Sequence, residues 1–404
     1  MTRLISLLFT VVAFELMLGG GGRLTAWGSL SLRMILFAVA LITVAIQVIR
    51  QQKIPFDYWL ISILFGIVLF IGVIRGLLVG ALHANLWEDV KPLLYFFMLP
   101  FFGFAIQNQS KVEHTASIIK NSGIILSCLF IGILISMHTS ILPFLDFFYA
   151  VNDSQEFFFR GELTFFYKGF VYICITFLFV HFSKSPYKNY FLILLAVAIF
   201  LSVTRGFLFA LALTYAAYYY VKLSYIKSII FGLLSLVVVT VGQFAISQSS
   251  IAIDQIKNPQ EEVQLNKITP NTTLLGDKSN SDNGRLQQIR EVVAQANFTS
   301  ILIGHGFGNG IRSRPIHMEI SYLEIFHKQG LLGLTFWAYL LWLLYQKYKA
   351  GTSGPLSDSF FFGSLFIYFQ SLTNQYINNP IGLTMILISI VCLDQLKKPR
   401  NDSF

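Results

Sequence analysis

The chain has 404 residues, of which 55% are hydrophobic and 12% charged, with 40 Phe and 18 Tyr; an ordinary soluble domain carries about 25% charged residues. Those proportions exclude a soluble enzyme, a disordered chain and a disulfide scaffold, and imply a multi-pass membrane protein set in a phospholipid bilayer. The net charge of +9 is no sign of nucleic-acid binding, because basic residues of membrane proteins collect in cytoplasmic loops.

A bilayer-crossing helix takes about 20 residues. Apolar stretches predict an all-α integral membrane protein of about twelve transmembrane helices, near 4–18, 34–49, 57–79, 92–106, 118–137, 164–182, 190–204, 206–221, 228–247, 328–345, 359–373 and 380–396. Only Arg3 precedes the first stretch and no small-residue cleavage site follows it, so it reads as a retained span. An inward N-terminus puts Arg50, Lys53, Lys111, Lys184, Lys188, Lys222, Lys227, Lys347, Lys349 and Lys397 on the cytoplasmic side, while 80–91 and 374–379 carry almost no basic residues. Both termini are then cytoplasmic. Three regions follow: a bundle over 1–247, one long outer loop with short helices over 248–327, and three final spans over 328–404.

Within the outer loop, the Gln-, Asn- and Pro-rich run from Gln255 to Asn283 reads as irregular chain. Leu286, Ile289, Val293 and Ala296 recur at helical spacing and predict a short amphipathic helix over 285–298. A second outward loop, 138–163, holds Asp146, Asp153, Glu156, Arg160 and Glu162. Cys128, Cys174 and Cys392 sit in apolar stretches with no pairing pattern, so neither a disulfide framework nor a metal set is expected.

Several residues carry candidate chemistry. Arg205 stands between two apolar stretches, at the tip of an expected tight outward hairpin. It is either an arginine snorkelling to the interface or a guanidinium aimed at an anionic substrate such as a diphosphate. Gly304-His305-Gly306-Phe307-Gly308-Asn309-Gly310 alternates glycine, as a flexible turn or as backbone that approaches a sugar or phosphate closely. The stretch 317–333 reads as a helix entering the membrane, with His317 and Glu319 at its outer end, where either serves as general base toward a hydroxyl. Arg285, Arg290, Arg312, Arg314 and Arg160 gather in the outer loops, either as solvated side chains or as contacts for a negatively charged lipid-linked substrate, with Tyr322 beside them.

Four patterns, Gly19-Gly20-Gly21-Gly22-Arg23-Leu24 with Ser31-Leu32-Arg33-Met34, Thr204-Arg205-Gly206, the glycine turn with the 317–333 stretch, and Thr373-Asn374-Gln375-Tyr376-Ile377-Asn378-Asn379-Pro380, occur in this order along nearly the whole chain. Their set resembles the O-antigen polymerase (Wzy) and O-antigen ligase superfamily of bacterial envelope glycosyltransferases. The resemblance implies a GT-C-like fold in the bacterial inner membrane, acting at the periplasmic face without metal or cofactor on undecaprenyl-diphosphate-linked glycans. It implies that Arg205 and Arg285, with Arg160 beside them, hold the donor diphosphate, and that a chain-length regulator and a repeat-unit flippase are partners. Ligases place a His eleven residues before the first Gly of a Gly-x-x-Gly pair; counted from Gly330, that position is Glu319, with His317 two residues earlier. The departure favours a polymerase over a ligase moving glycan to lipid A–core, and leaves the base open between Glu319 and His317. A transporter is the reading from another class, and it would place its charges near the bilayer midplane, whereas here the polar groups gather toward one face.

Overall fold

The computed structural model describes residues 2–22, 26–27, 30–50, 55–160, 163–222 and 276–397, which are mostly helical. The expected span 228–247, the run 255–275, Arg23, Leu24, Glu162 and the side chain of Arg160 lie outside the described residues.

Helix α1 (Thr2–Leu18) leads through a two-residue-strand hairpin, β1 (Ala26–Trp27) and β2 (Leu30–Ser31), into α2 (Leu32–Ile49). The Ser31 hydroxyl accepts the Met34 amide at 3.3 Å. That N-cap fixes where α2 starts and sets Arg33 in its first turn. Then come α3 (Phe56–Leu78), α4 (His83–Leu93), α5 (Leu99–Ala105), α6 (Gln109–His138) and α7 (Phe144–Val151). The hairpin β3 (Phe157–Arg160) and β4 (Thr164–Tyr167) precedes α8 (Val171–Phe182), α9 (Lys188–Leu201) and α10 (Arg205–Lys222). After the gap stand α11 (Gly276–Gln295), α12 (Phe298–Ile303), α13 (Ser321–Ala350), α14 (Pro355–Gln370) and α15 (Pro380–Gln395). By length and composition, α2, α3 and α6 are able to cross a membrane; the 168–182 segment, α9 and α15 are shorter apolar helices.

Two expected spans are built differently. The 92–106 stretch is a break rather than one helix: a 3₁₀ turn over Leu94–Met98 separates α4 from α5, with Pro92 near the end of α4 and Pro100 opening α5. Proline lacks the amide that a continuous ladder would need there. The 164–182 stretch begins as β4, whose Phe-rich register against β3 pairs Phe157 with Tyr167 and Phe159 with Phe165. Aromatic residues suit such cross-strand pairs, and the Phe157 and Tyr167 rings stack at 4.9 Å. The amphipathic helix expected over 285–298 starts earlier, at Gly276, and ends at Gln295, so 276–283 belong to a helix and not to the irregular run. Ala296 and Asn297 lead to a separate helix, α12, begun by an Asn297 capping box.

The α9–α10 turn is the tight hairpin expected at Arg205. Its Val203 holds φ 49°, costly for a β-branched residue, and Thr164 of β4 donates to the Leu201 carbonyl at 2.8 Å. Helix α15 is the centre of the packing, buried from Pro380 to Leu393 on all faces, as expected of a helix apolar all round.

Candidate functional site

The site is organised by a backbone crossing. At Gly330 the α13 helix leaves helical geometry, with φ 65° and ψ −157°. A Cβ there would stand 2.5 Å from the Leu302 carbonyl carbon, and one on Gly304 2.2 Å from that of Lys328. Only glycine permits that approach and those dihedrals. Carbonyls freed by the break are taken up: His305 N–H donates to His327 O at 2.8 Å and Gly306 N–H to Lys328 O at 3.0 Å. The glycine turn also reaches α3, where Phe307 N–H donates to Gly72 O at 3.0 Å, and α4, where Gly308 N–H donates to Asp89 Oδ2 at 2.7 Å. The close approach made by these glycines is therefore to the protein's own backbone.

The crossing sets a buried charged cluster. Lys328 Nζ lies 2.6 Å from Asp89 Oδ1 and 2.5 Å from Glu324 Oε1, and also donates to the Ile316 carbonyl. Gln375 and Asn378, from the turn before α15, both donate to Glu324 Oε2, Asn378 at 2.9 Å. His317 turns its Nδ1 toward the same carboxylates, 3.3 Å from Glu324 and 3.5 Å from Asp89. Its side chain stays 39% exposed while the carboxylates are 5% and 1% exposed. Burial pushes the Asp89 carboxyl upward, against the pull of Lys328. Burial acts on Glu324 the same way, but Lys328 and His317 outweigh it and hold that carboxyl at about 2. Asp89, His317 and Glu324 bring three possible metal-ligating atoms within 4.8 Å of one another. A metal ion would have to displace the Lys328 ammonium, which already bridges the two carboxylates.

This cluster lines a cavity of about 200 Å³ together with a second group, Gly21, Arg33 of α2, and Glu156 and Lys168 at the base of the β3–β4 hairpin. There Arg33 Nε donates to both Glu15 oxygens, at 3.1 and 2.9 Å, and both side chains are under a tenth exposed. The fully buried Glu156 accepts the Gly21 amide at 2.7 Å and lies 4.0 Å from Lys168 Nζ.

The structure separates the two residues between which the sequence left the base open. Neither is on a helix, because α13 begins at Ser321, so the expected helix over 317–320 is corrected to irregular chain. Met318 between them is buried against Val292 and Ile311. His317 faces the cavity, whereas Glu319 pairs with Arg314 and with Arg285, the latter at 3.2 Å. Glu319 N–H also donates to Gln288 at 3.0 Å, tying the segment to α11. Arg205 heads α10, and a Cβ on the adjacent Gly206 would meet Thr373 Oγ1 at 2.7 Å and Asn374 Nδ2 at 3.0 Å. The Thr-Arg-Gly and Thr-Asn-Gln patterns are thus neighbours in space. Among the described side chains, those of Arg205, Arg285, Arg290, Arg312, Arg314 and Tyr322 do not line the cavity. Arg160 ends β3, Arg290 and Arg312 are exposed, and the Tyr322 hydroxyl is committed to the Tyr368 carbonyl at 2.9 Å.

Sequence reasoning did not single out Glu15, Asp89, Glu324 or Lys328, nor give Arg33 and Asn378 roles. Two signals were available. Glu15 and Arg33 are ionisable residues in or beside apolar spans, which is a functional sign by default. Glu324 and Lys328 stand at i,i+4 spacing on one helical face.

Comparison with known proteins agrees with the sequence patterns. Residues 190–338 match the family model Wzy_C, described as O-antigen ligase. Over 97% of its length the chain is 26% identical to an O-antigen polymerase of Shigella flexneri, covering 95% of that protein.

Proposed function

From its place in the O-antigen polymerase and ligase superfamily, we propose that this membrane protein polymerises undecaprenyl-diphosphate-linked repeat units at the periplasmic face of the inner membrane. The donor is a growing glycan on the lipid diphosphate, and the acceptor is one lipid-linked unit. Its terminal hydroxyl oxygen bonds to the donor's anomeric carbon as the carbon–oxygen bond to the diphosphate breaks. The hydroxyl proton passes to His317 Nε2, and the diphosphate leaves on its lipid.

One observation carries this assignment of the base: His317 presents Nδ1 to buried carboxylates while its ring remains open to the cavity. A carboxylate accepting from Nδ1–H fixes the tautomer that leaves Nε2 basic. Glu319, by contrast, has its carboxylate oxygens engaged by two guanidiniums and does not line the cavity. Lys168 in the cavity and Arg205 beside the 373–375 turn are the proposed cations for the leaving diphosphate, where charge develops. Arg285 and Arg314, engaged by Glu319, hold the segment that carries His317.

The outward orientation is supported by the cavity itself, whose lining comes from segments near 21–33, 88–95, 156–168, 307–329 and 375–380. Those are connections that the basic-residue pattern assigns to one side. A ligase is the second reading, favoured by the description of the matched family model; it shares the donor chemistry and differs in acceptor.

A surface-polysaccharide gel tests the proposal, using a strain lacking this gene and complemented with the wild-type, His317→Ala or Glu319→Ala chain. Lipid A–core bearing a single repeat unit is expected without the gene and with His317→Ala. Long glycan stranded on the carrier beside bare lipid A–core would mean a ligase. A normal ladder from His317→Ala would remove His317 from the mechanism.

A further inference from the structure

Among the described residues lining the cavity, two buried hydrogen-bonding atoms have no partner: Arg33 Nη1 and Asn378 Oδ1. Both belong to side chains whose orientation is dictated from elsewhere. Arg33, 3% exposed, uses Nε on Glu15 and turns Nη2 to the Glu15 carbonyl at 3.5 Å, while the Arg33 carbonyl accepts the Tyr95 hydroxyl at 2.8 Å. Asn378 must turn its NH₂ toward Glu324 Oε2, 2.9 Å away. The reverse assignment would set an amide oxygen against a carboxylate that only accepts. The amide oxygen is therefore the atom left over.

Leaving a buried donor or acceptor unsatisfied is costly, and a guanidinium N–H is best met by an anionic oxygen. An amide oxygen needs a donor, and a hydroxyl supplies one. Both side chains line one cavity, and one ligand that meets their two demands is a sugar joined to a phosphate. We propose that this cavity grips the sugar–phosphate junction of the substrate. Arg33 Nη1 donates to a phosphate oxygen, and Asn378 Oδ1 accepts a hydroxyl of the adjoining sugar. The proposal rests on the lipid-linked glycan reading above and names the atoms that hold such a substrate. Lys328, Asp89 and Glu324 satisfy one another and serve as the frame against which Asn378 is aimed.

The test measures binding to full-length protein in phosphatidylglycerol nanodiscs with two probes: undecaprenyl diphosphate alone, and the undecaprenyl-diphosphate-linked repeat unit extracted from a strain lacking this gene. Arg33→Lys keeps a cation for Glu15 but has no second N–H arm, and it is expected to weaken both probes about tenfold, the size of one charge-assisted hydrogen bond. Asn378→Ala is expected to weaken only the glycan-bearing probe. Gln375→Ala strips the other amide from Glu324 yet leaves Asn378 Oδ1 in place, and should keep the wild-type ratio between probes. Should Arg33→Lys fail to fold, the charge-free double variant Glu15→Gln/Arg33→Gln is read instead.

Wild-type affinity of the Arg33 variant for both probes would overturn the phosphate contact. Equal weakening of both probes by Asn378→Ala, or binding unchanged by it, would overturn the sugar contact. A wild-type protein that binds neither probe above the phosphatidylglycerol background would remove the lipid-linked glycan reading itself, and this proposal with it.

Discussion

Ionic networks stand at both ends of this bundle, and they are built to different ends. Away from the cavity, Lys347 Nζ lies 2.6 Å from Asp394, which also receives Lys397 and the Tyr58 hydroxyl at 3.0 Å. Nearby, Asp358 takes Lys222 at 2.9 Å and the Tyr348 hydroxyl at 2.7 Å. Each carboxylate there is matched by a cation and a phenol. The cavity end uses the same currency of buried lysine and carboxylate, yet it keeps an exposed imidazole, an unsatisfied guanidinium nitrogen and an unsatisfied amide oxygen. A saturated network fastens helices together; an unsaturated one beside a cavity holds capacity for a ligand.

That contrast is sharpest where catalysis and stability come apart. The largest expected effect is on chain extension by His317→Ala, a loss of about 10²–10⁴-fold, the range for a general base, with membrane levels unchanged on an immunoblot. Next is Lys328→Met, which leaves Asp89 and Glu324 buried without their cation and should destabilise the fold by about 3–5 kcal/mol, read as lost monodisperse protein after detergent extraction. Lys347→Met at the other end should also lower the melting temperature, yet glycan length per folded molecule should stay normal; shortened glycan at equal protein would break the distinction. Gly330→Ala forces a side chain into a positive φ and against Leu302, and should cost about 1–3 kcal/mol, seen as a lower melting temperature. The smallest effect is in pH. Glu324 titrates at about 2 in the fold, against an ordinary 4.5. Its contribution to stability is full above pH 4.5 and is lost as pH falls toward 2; the acid limb of a melting-temperature profile should flatten in Glu324→Gln.

Much of the helical order was legible, because apolar runs bounded by charge mark α2, α3, α9 and α10 closely, whereas α6 begins nine residues before the expected 118–137. The 92–106 run misled because apolar composition says nothing of continuity, and its prolines were the only sign of the break. The Phe-rich β3–β4 hairpin hid within an apolar stretch, since aromatic residues serve strands and membrane helices alike. His317 was legible as a candidate because a base needs a titratable group next to the patterned turn. Its distinction from Glu319 was not, because it depends on Arg285, which is 34 positions away, and on the burial of Met318. Asp89 meets Lys328 across 239 positions, a pairing that only the glycine crossing brings about.

The central helix α15 has sixteen residues, a rise of about 24 Å, against a hydrocarbon core of about 30 Å. Centred in such a bilayer, it would end about 3 Å short of each boundary. The turn just ahead of it, with Gln375 and Asn378, would then sit below the headgroup plane. Under the proposed function, a diphosphate tethered to a polyprenyl tail would meet these amides with little of its tail drawn out of the lipid, and the short central helix would shorten the path between carrier and cavity.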